Sequence, residues 1–441
     1  MIEDQDLPEL KTFRRLERQL PFAVDESFSR LVTANGNAKL PVHRWFPYKE
    51  SFSADLLKTV IEQLTPQVGT NFRLLDPFCG VGTTLIAAQE LNKQGYKIST
   101  TGIECNPFTA FVAKTKASWR DIDSNKLKLT GDRILNRPTP NDLPIPPLSS
   151  LTEGRCMSRQ VARRIVDVRN AILRVKDEAT RNGLLLGLAA TIEPVSKVRK
   201  DGRALRIVDK SPILLAPALR GRWSQIGSDA TFFQGLLPSS LHPTVLFGDG
   251  RLPSRFGLSS GTFDLILTSP PYPNNIDYSE VYKLELWLLG FIRDGNEFLQ
   301  LRKTTFRSHP TASFPVPSTE FTQQLHSGKL HKLLWPMLER IQASDHKWRS
   351  RLVIGYFSDL WLSLEEYYRC VRRGGYVVFV VGNSLHGRSG DAYLIPTDIG
   401  LAVIAESVGF TVERVLSARS LKRRLQGNHF LRESLIVLKK R

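Results

Sequence analysis

Three acids and a pair of glycines stand where chemistry can be done. LLDPFCGVGTT occupies 74–84. A short apolar run, Arg73–Leu75, delivers Asp76 to a turn that holds Gly80 and Gly82. Glycines there let the backbone approach a ligand without a Cβ in the way. TGIECNP (101–107) ends a second run on Glu104, 22 residues past Gly82. An acid at that place accepts hydrogen bonds from ribose hydroxyls. LFGDGR (246–251) sets Asp249 just beyond a third run, where it could accept from an adenine amine. Thr83 and Thr84 replace the third glycine of a dinucleotide fingerprint, and no GK[ST] occurs. A nucleoside held by two acids, with no phosphate-binding lysine in the turn, suits S-adenosylmethionine better than NAD or ATP.

A fourth stretch is TSPPYPNNIDYSE (268–280), directly after the apolar run FDLIL. Its two prolines stiffen the backbone where a buried strand ends. The four cysteines, Cys79, Cys105, Cys156 and Cys370, are scattered without zinc-ligand spacing, so no metal site and no disulfide framework is expected.

Elements that position these residues follow a strand–turn–helix rhythm. Strands are expected at Arg73–Leu75, Ser99–Glu104, Thr244–Phe247, Phe263–Leu267 and Tyr376–Val381. Helices are expected over 53–64, 84–94 and from Pro107, and a terminal hairpin over 411–416 and 434–438. This is an α/β pattern, a Rossmann-like doubly wound sheet. The rhythm is interrupted twice by stretches read as mainly helical or irregular. The expected organisation is a lead-in (1–40), a cofactor half (41–116), a basic insertion (117–240), a second catalytic part (241–294), a second insertion (295–350) and a closing part (351–441). Within the first insertion, 137–150 reads as a linker and Ser158 to about Ala189 as one helix.

The chain carries 61 Lys and Arg against 43 Asp and Glu, a formal charge of +18. Between Arg155 and Arg222 stand 16 bases and 6 acids, a net of +10, so most of the excess sits in one stretch. A polyanionic partner is expected. The first twenty residues lack an apolar core for a signal peptide, and no apolar run is long enough to span a bilayer. A cytoplasmic location and no membrane partner are the expectation.

DPFCGVGTT, GIECNP, GDGR and TSPPY together resemble the amino DNA methyltransferases, over 41–116, 244–291 and 371–416. The resemblance implies a class I methyltransferase sheet, S-adenosylmethionine as cofactor and double-stranded DNA as partner. It implies Asp76, Phe78, Gly80, Gly82, Thr83, Glu104 and Asp249 as cofactor residues, and Ser269, Pro270, Pro271 and Tyr272 as the catalytic set. An exocyclic amine is a poor nucleophile because its lone pair is delocalised into the ring. Acceptors for its hydrogens, here Ser269 Oγ and the Pro270 carbonyl, help it pyramidalise toward the methyl group. Tyr272 can stack on a base taken out of the duplex. Asn274, Asn275, Asp277, Tyr278, Asn383 and Ser384 are further candidates for the base pocket. In the resembling family a leading Ser favours cytosine N4, whereas adenine enzymes more often carry Asp or Asn there. The segment 41–52 is similar to one that covers the methionine end of the cofactor.

The order, cofactor turn before SPPY, excludes the family's reversed arrangement. The long insertion between GIECNP and GDGR leaves the place of DNA recognition open. Lys197, Arg199, Lys200, Arg203 and Arg206 are the first candidates for phosphate contact. The 295–350 stretch is the second, and SLKRR (420–424) reads as a peripheral contact. A DNA adenine-N6 enzyme, an RNA guanine-N2 methyltransferase and a non-catalytic DNA-binding relative are the rivals. The completeness of the site in one chain permits a monomer, and no endonuclease partner is legible.

Overall fold

A computed structural model describes residues 7–136, 144–200, 205–233, 241–343, 348–387, 392–421 and 429–441. Arg203, Lys347, Arg388 and Lys422–Arg424 lie outside these ranges. The strands are β1 (Phe22–Val24), β2 (Asn71–Asp76), β3 (Lys97–Glu104), β4 (Val198–Lys200), β5 (Leu205–Ile207), β6 (Thr244–Phe247), β7 (Phe263–Thr268), β8 (Val371–Gly382), β9 (Ser384–His386), β10 (Tyr393–Ile395), β11 (Thr411–Ser420) and β12 (Arg432–Lys439). Eight of them form one sheet in the order β1-β11-β12-β8-β7-β2-β3-β6. From β8 to β6 all neighbours are parallel, and β12 runs antiparallel to both β8 and β11.

The sheet is buried on both faces, which is why its strands read as nearly continuous apolar runs. Along β8, Val377, Phe379 and Val381 pack into the core under the helices Trp348–Cys370 and Thr397–Val408. Tyr376, Val378 and Val380 point the other way, into the core with Ala87, Ala88 and Leu91 of the helix Thr83–Lys93. β2, β3 and β6 step outward one way, β7 and β8 the other. The reversal falls between β2 and β7, where Leu74 pairs with Leu265 and Leu75 with Ile266. A crevice at the carboxyl ends follows from that reversal.

The structure departs from the sequence reading in several elements. The expected single helix from Ser158 is two, Arg159–Leu173 and Glu178–Ile192. The Asp177 side chain accepts from Thr180 N and starts the second one. Of the two readings left open for the 295–350 stretch, helical or irregular, helices are found: Gly295–Thr304, Thr319–Ser327 and Lys329–Ala343, followed by Trp348–Cys370. The lead-in is structural, since Phe13 and Leu16 are core and β1 adds an edge strand beside β11. The basic insertion is no appendage. Leu127, Ile165, Leu184, Leu188 and Ile226 share one apolar core with Val42, Trp45 and Phe46 of the segment before β2 and with Phe108 and Val112. Among the described residues no helix is long and apolar enough to cross a membrane.

Candidate active site

The carboxyl ends of β2, β3 and β7 open on a cleft of about 870 Å³. Its wall brings together Asp76, Phe78, Gly80, Thr83, Glu104, Asp249 and the run Ser269, Pro270, Pro271, Tyr272. Gly82 is not in the wall. It adopts φ 85° as the N-cap of the helix Thr83–Lys93, and a Cβ there would sit 3.3 Å from Ala113 Cα.

Asp76 joins the two motif strands. One carboxylate oxygen accepts from Thr84 Oγ1 at 2.6 Å. The other accepts from Phe78 N and from Thr268 Oγ1, each at 3.2 Å. Thr268 immediately precedes Ser269, so the glycine turn and the SPPY segment are pinned to one buried carboxyl. Burial pushes that carboxyl up to about 6 against these hydrogen bonds. Glu104 accepts from Gly80 N at 3.0 Å and from Asn106 N at 2.8 Å. Burial pushes Glu104 up to about 7. Asp249 accepts from Arg251 N at 3.0 Å and is paired with its guanidinium at 2.8 Å. Arg251 also reaches Asp359 at 2.7 Å, which anchors the loop after β6. Gly250 lets that loop lie on the turn, because a Cβ there would fall 1.6 Å from the Pro77 carbonyl oxygen.

On the far side of the cleft the Tyr272 ring lies against Gly382, where a Cβ would approach it to 2.8 Å. Burial raises the Tyr272 phenol well above its ordinary range, and the nearby Glu433 carboxylate adds to the effect. The phenol therefore stays neutral. Asn274, Asn275 and Tyr278 line the cleft, whereas Asp277 caps the helix Tyr278–Val281 and pairs with Arg302 at 2.5 Å. Ser384 and Asn383 also line it, but the Asn383 amide is committed to Asp398 at 2.9 Å and to the Phe430 carbonyl at 2.8 Å. Burial holds the Cys79 thiol far up, as suits a packing residue.

Residues of the 41–52 segment and of distant stretches complete the wall. Tyr48 stacks on Tyr282 at 5.4 Å between centroids and lies against Gly80. Glu50 Oε2 accepts from the Tyr282 phenol at 2.7 Å, while Oε1 is buried with no hydrogen-bond partner among the described residues. Ser308, His309, His386, Arg419 and Glu433 close the opposite side. Nothing in their spacing marks them, since tertiary packing alone gathers them.

The basic insertion grips the segment that covers the turn. Asp229 accepts from Val42 N at 3.2 Å, Arg44 Nε at 3.0 Å and Trp45 Nε1 at 2.9 Å. Lys200 is not a surface cation. It is buried, bonded to Glu285 and set 4.8 Å over the Tyr282 ring, so it is unsuited to phosphate contact. Lys197, Arg199 and Arg206 are exposed on and beside β4 and β5. Arg203 lies outside the described residues.

Comparison with known proteins agrees with this geometry. Residues 25–114 match the family model N6_N4_Mtase, DNA methylase. Over those residues the chain is similar to the amino DNA methyltransferases. It is 26% identical to the type II methyltransferase M.BsoBI of Geobacillus stearothermophilus, over 90% of this chain and 84% of that protein. It is 27% identical to the type II methyltransferase M.AvaI of Anabaena variabilis, over 89% and 84%. A putative class I S-adenosylmethionine-dependent methyltransferase from Listeria monocytogenes overlaps 88% of this chain and 57% of its own, at 12% identity and a TM-score of 0.28. The fold assignment rests on the strand order.

The site fits the family's cofactor, S-adenosylmethionine. Glu104 could accept from ribose hydroxyls, and Asp249, already paired with Arg251, could accept from an adenine amine. The partnerless Glu50 Oε1 supplies a third acceptor, suited to an ammonium group. The glycine turn offers no cation for a phosphate.

Proposed function

We propose that the protein is a type II DNA methyltransferase that methylates the exocyclic N4 amine of cytosine on a base flipped from the duplex. The observation that carries this reading is the placement of Ser269 and Tyr272 in the cleft that also holds Gly80 and Glu104. The names of M.BsoBI and M.AvaI support the type II assignment. The Ser at the head of SPPY supports cytosine through the family tendency.

When bound, S-adenosylmethionine supplies a methyl group made electrophilic by a sulfonium. The protein's part is positioning. Glu104 and Asp249 orient the nucleoside. Ser269 Oγ and the Pro270 carbonyl accept the two amine hydrogens and aim the nitrogen lone pair at the methyl carbon. The N–C bond forms as the S–C bond breaks, and the surplus amine proton leaves to water. The neutral Tyr272 ring stacks on the flipped base. No protein nucleophile is required. Lys197, Arg199 and Arg206 contact DNA phosphates in this reading.

Purified protein, duplex DNA and methyl-labelled cofactor test it, with digestion to nucleosides and chromatography. Label in N4-methylcytosine supports the reading. Label in N6-methyladenine corrects the base. Label absent from DNA and present in RNA overturns it.

A further inference from the structure

We propose that His386 is a positioning residue for methyl transfer, clamping the chain directly after Tyr272 through a neutral imidazole. The inference rests on the function proposed above and names a residue that acts through the SPPY loop.

The loop 273–275 has little regular structure to hold it. Asn274 N bonds the Tyr272 carbonyl at 2.8 Å, closing a tight turn. Asn275 then takes a left-handed φ of 62°, a conformation that few residues other than glycine and asparagine adopt readily. Two contacts from outside fix this shape. Asn275 N donates to the Ser308 carbonyl at 3.1 Å. His386 supplies the other contact with both ring nitrogens. Nε2 lies 2.6 Å from the Pro273 carbonyl oxygen, and Nδ1 lies 3.3 Å from Asn275 Nδ2. A carbonyl oxygen only accepts, so Nε2 carries the proton. Nδ1 then accepts from the Asn275 amide.

The clamp is itself rigidly mounted. His386 is buried in the β9–β10 hairpin and stacks on Tyr393 at 5.3 Å and 18°. The hairpin follows Asn383, whose amide bonds Asp398 and the Phe430 carbonyl. Asp398 is in turn paired with the buried Arg432 at 2.7 Å. A chain of hydrogen-bonded buried groups therefore runs from the sheet toward the Pro273 carbonyl. Pro273 is one residue past Tyr272 and three past Pro270. Freeing it would let the Pro270 carbonyl and the Tyr272 ring drift, and transfer that depends on alignment is sensitive to such drift.

Three variants separate the clamp from mere packing: His386→Gln, His386→Asn and His386→Ala. Gln places an amide nitrogen near the Nε2 position and keeps the donor to Pro273. Asn reaches only the Nδ1 position. The expected result is a 10- to 100-fold fall in kcat for Asn and Ala, cofactor Kd within about twofold of wild type, and substantial recovery by Gln. Equal kcat in all four proteins would overturn the inference, as would a Gln variant as slow as Ala. The ¹⁵N shifts of the His386 ring give a reading independent of activity. A proton on Nε2 is expected, and a proton on Nδ1 overturns the clamp. Wild-type protein that methylates no DNA would sink the proposed function, and the ring tautomer would still decide the clamp.

Discussion

Glu104→Gln is the most informative change in the cofactor half. The native carboxylate already accepts from Gly80 N and Asn106 N, and burial pushes it up to about 7 from its ordinary 4.5. Ribose hydroxyls are donors and favour the ionised form. An amide has one acceptor oxygen in place of two and turns its NH2 toward a backbone N–H. Charge-assisted bonds of this kind contribute about 1.5–3 kcal/mol, so cofactor Kd should rise about 10- to 150-fold. The pH dependence follows from the same carboxyl. A group that ionises near 7 is roughly nine-tenths charged at pH 8 and one-tenth at pH 6, so wild-type affinity should fall about tenfold between them. The sign is fixed: binding selects the ionised form, and affinity is lost as pH drops through 7. The ligand's own amine titrates in both proteins, so the difference between the two profiles is the quantity to read. Isothermal titration calorimetry at pH 6, 7 and 8 measures it. Binding by the variant within about threefold of wild type, or parallel pH profiles, would refute the ribose assignment.

Other outcomes follow from the same geometry. Ser269→Ala should lower kcat by about 100-fold or more with cofactor affinity unchanged, measured by single-turnover transfer and calorimetry; loss of cofactor binding would move Ser269 out of its role. Neutralising Lys197, Arg199 and Arg206 together should reduce the slope of log K against log salt by about 2–3, by fluorescence anisotropy on duplex DNA. An unchanged slope would place the DNA face elsewhere. Lys116 is buried, donates to the His43 and Phe46 carbonyls, and is held down to about 7 by burial. Unfolded chains keep that proton to about 10.4, so between pH 7 and 9 the unfolded state binds more protons and stability should rise with pH. Lys116→Met should flatten the rise in urea unfolding; an equal slope in both proteins would refute the assignment.

The chemistry-bearing motifs were legible because each is local. A strand end, a turn and a helix start suffice to read Asp76, Gly80 and Glu104, and the strands β2, β3, β6 and β7 themselves follow from the α/β rhythm. Elements governed by tertiary contact were not legible. In the helix Trp348–Cys370, Leu352, Val353, Tyr356, Phe357, Ser358, Asp359 and Leu360 are all buried, so no one-sided stripe marks it. β1 has three residues, too few for a period, and exists because β11 lies beside it. The boundary at Asp177 was masked by apolar spacing that ran on through it. Lys200 looked like its basic neighbours in sequence, and only the fold turns it inward onto Glu285. The wall of the cleft includes His309, His386 and Glu433, which come from three distant segments and share no motif.

The central claim is tested most directly by single-molecule sequencing with modified-base detection, on DNA from cells expressing the wild-type protein, the Ser269→Ala variant or neither. Methylated cytosine at one short recurring sequence is expected in the wild-type sample alone. Wild-type DNA that carries no new mark relative to the other two samples would contradict the claim.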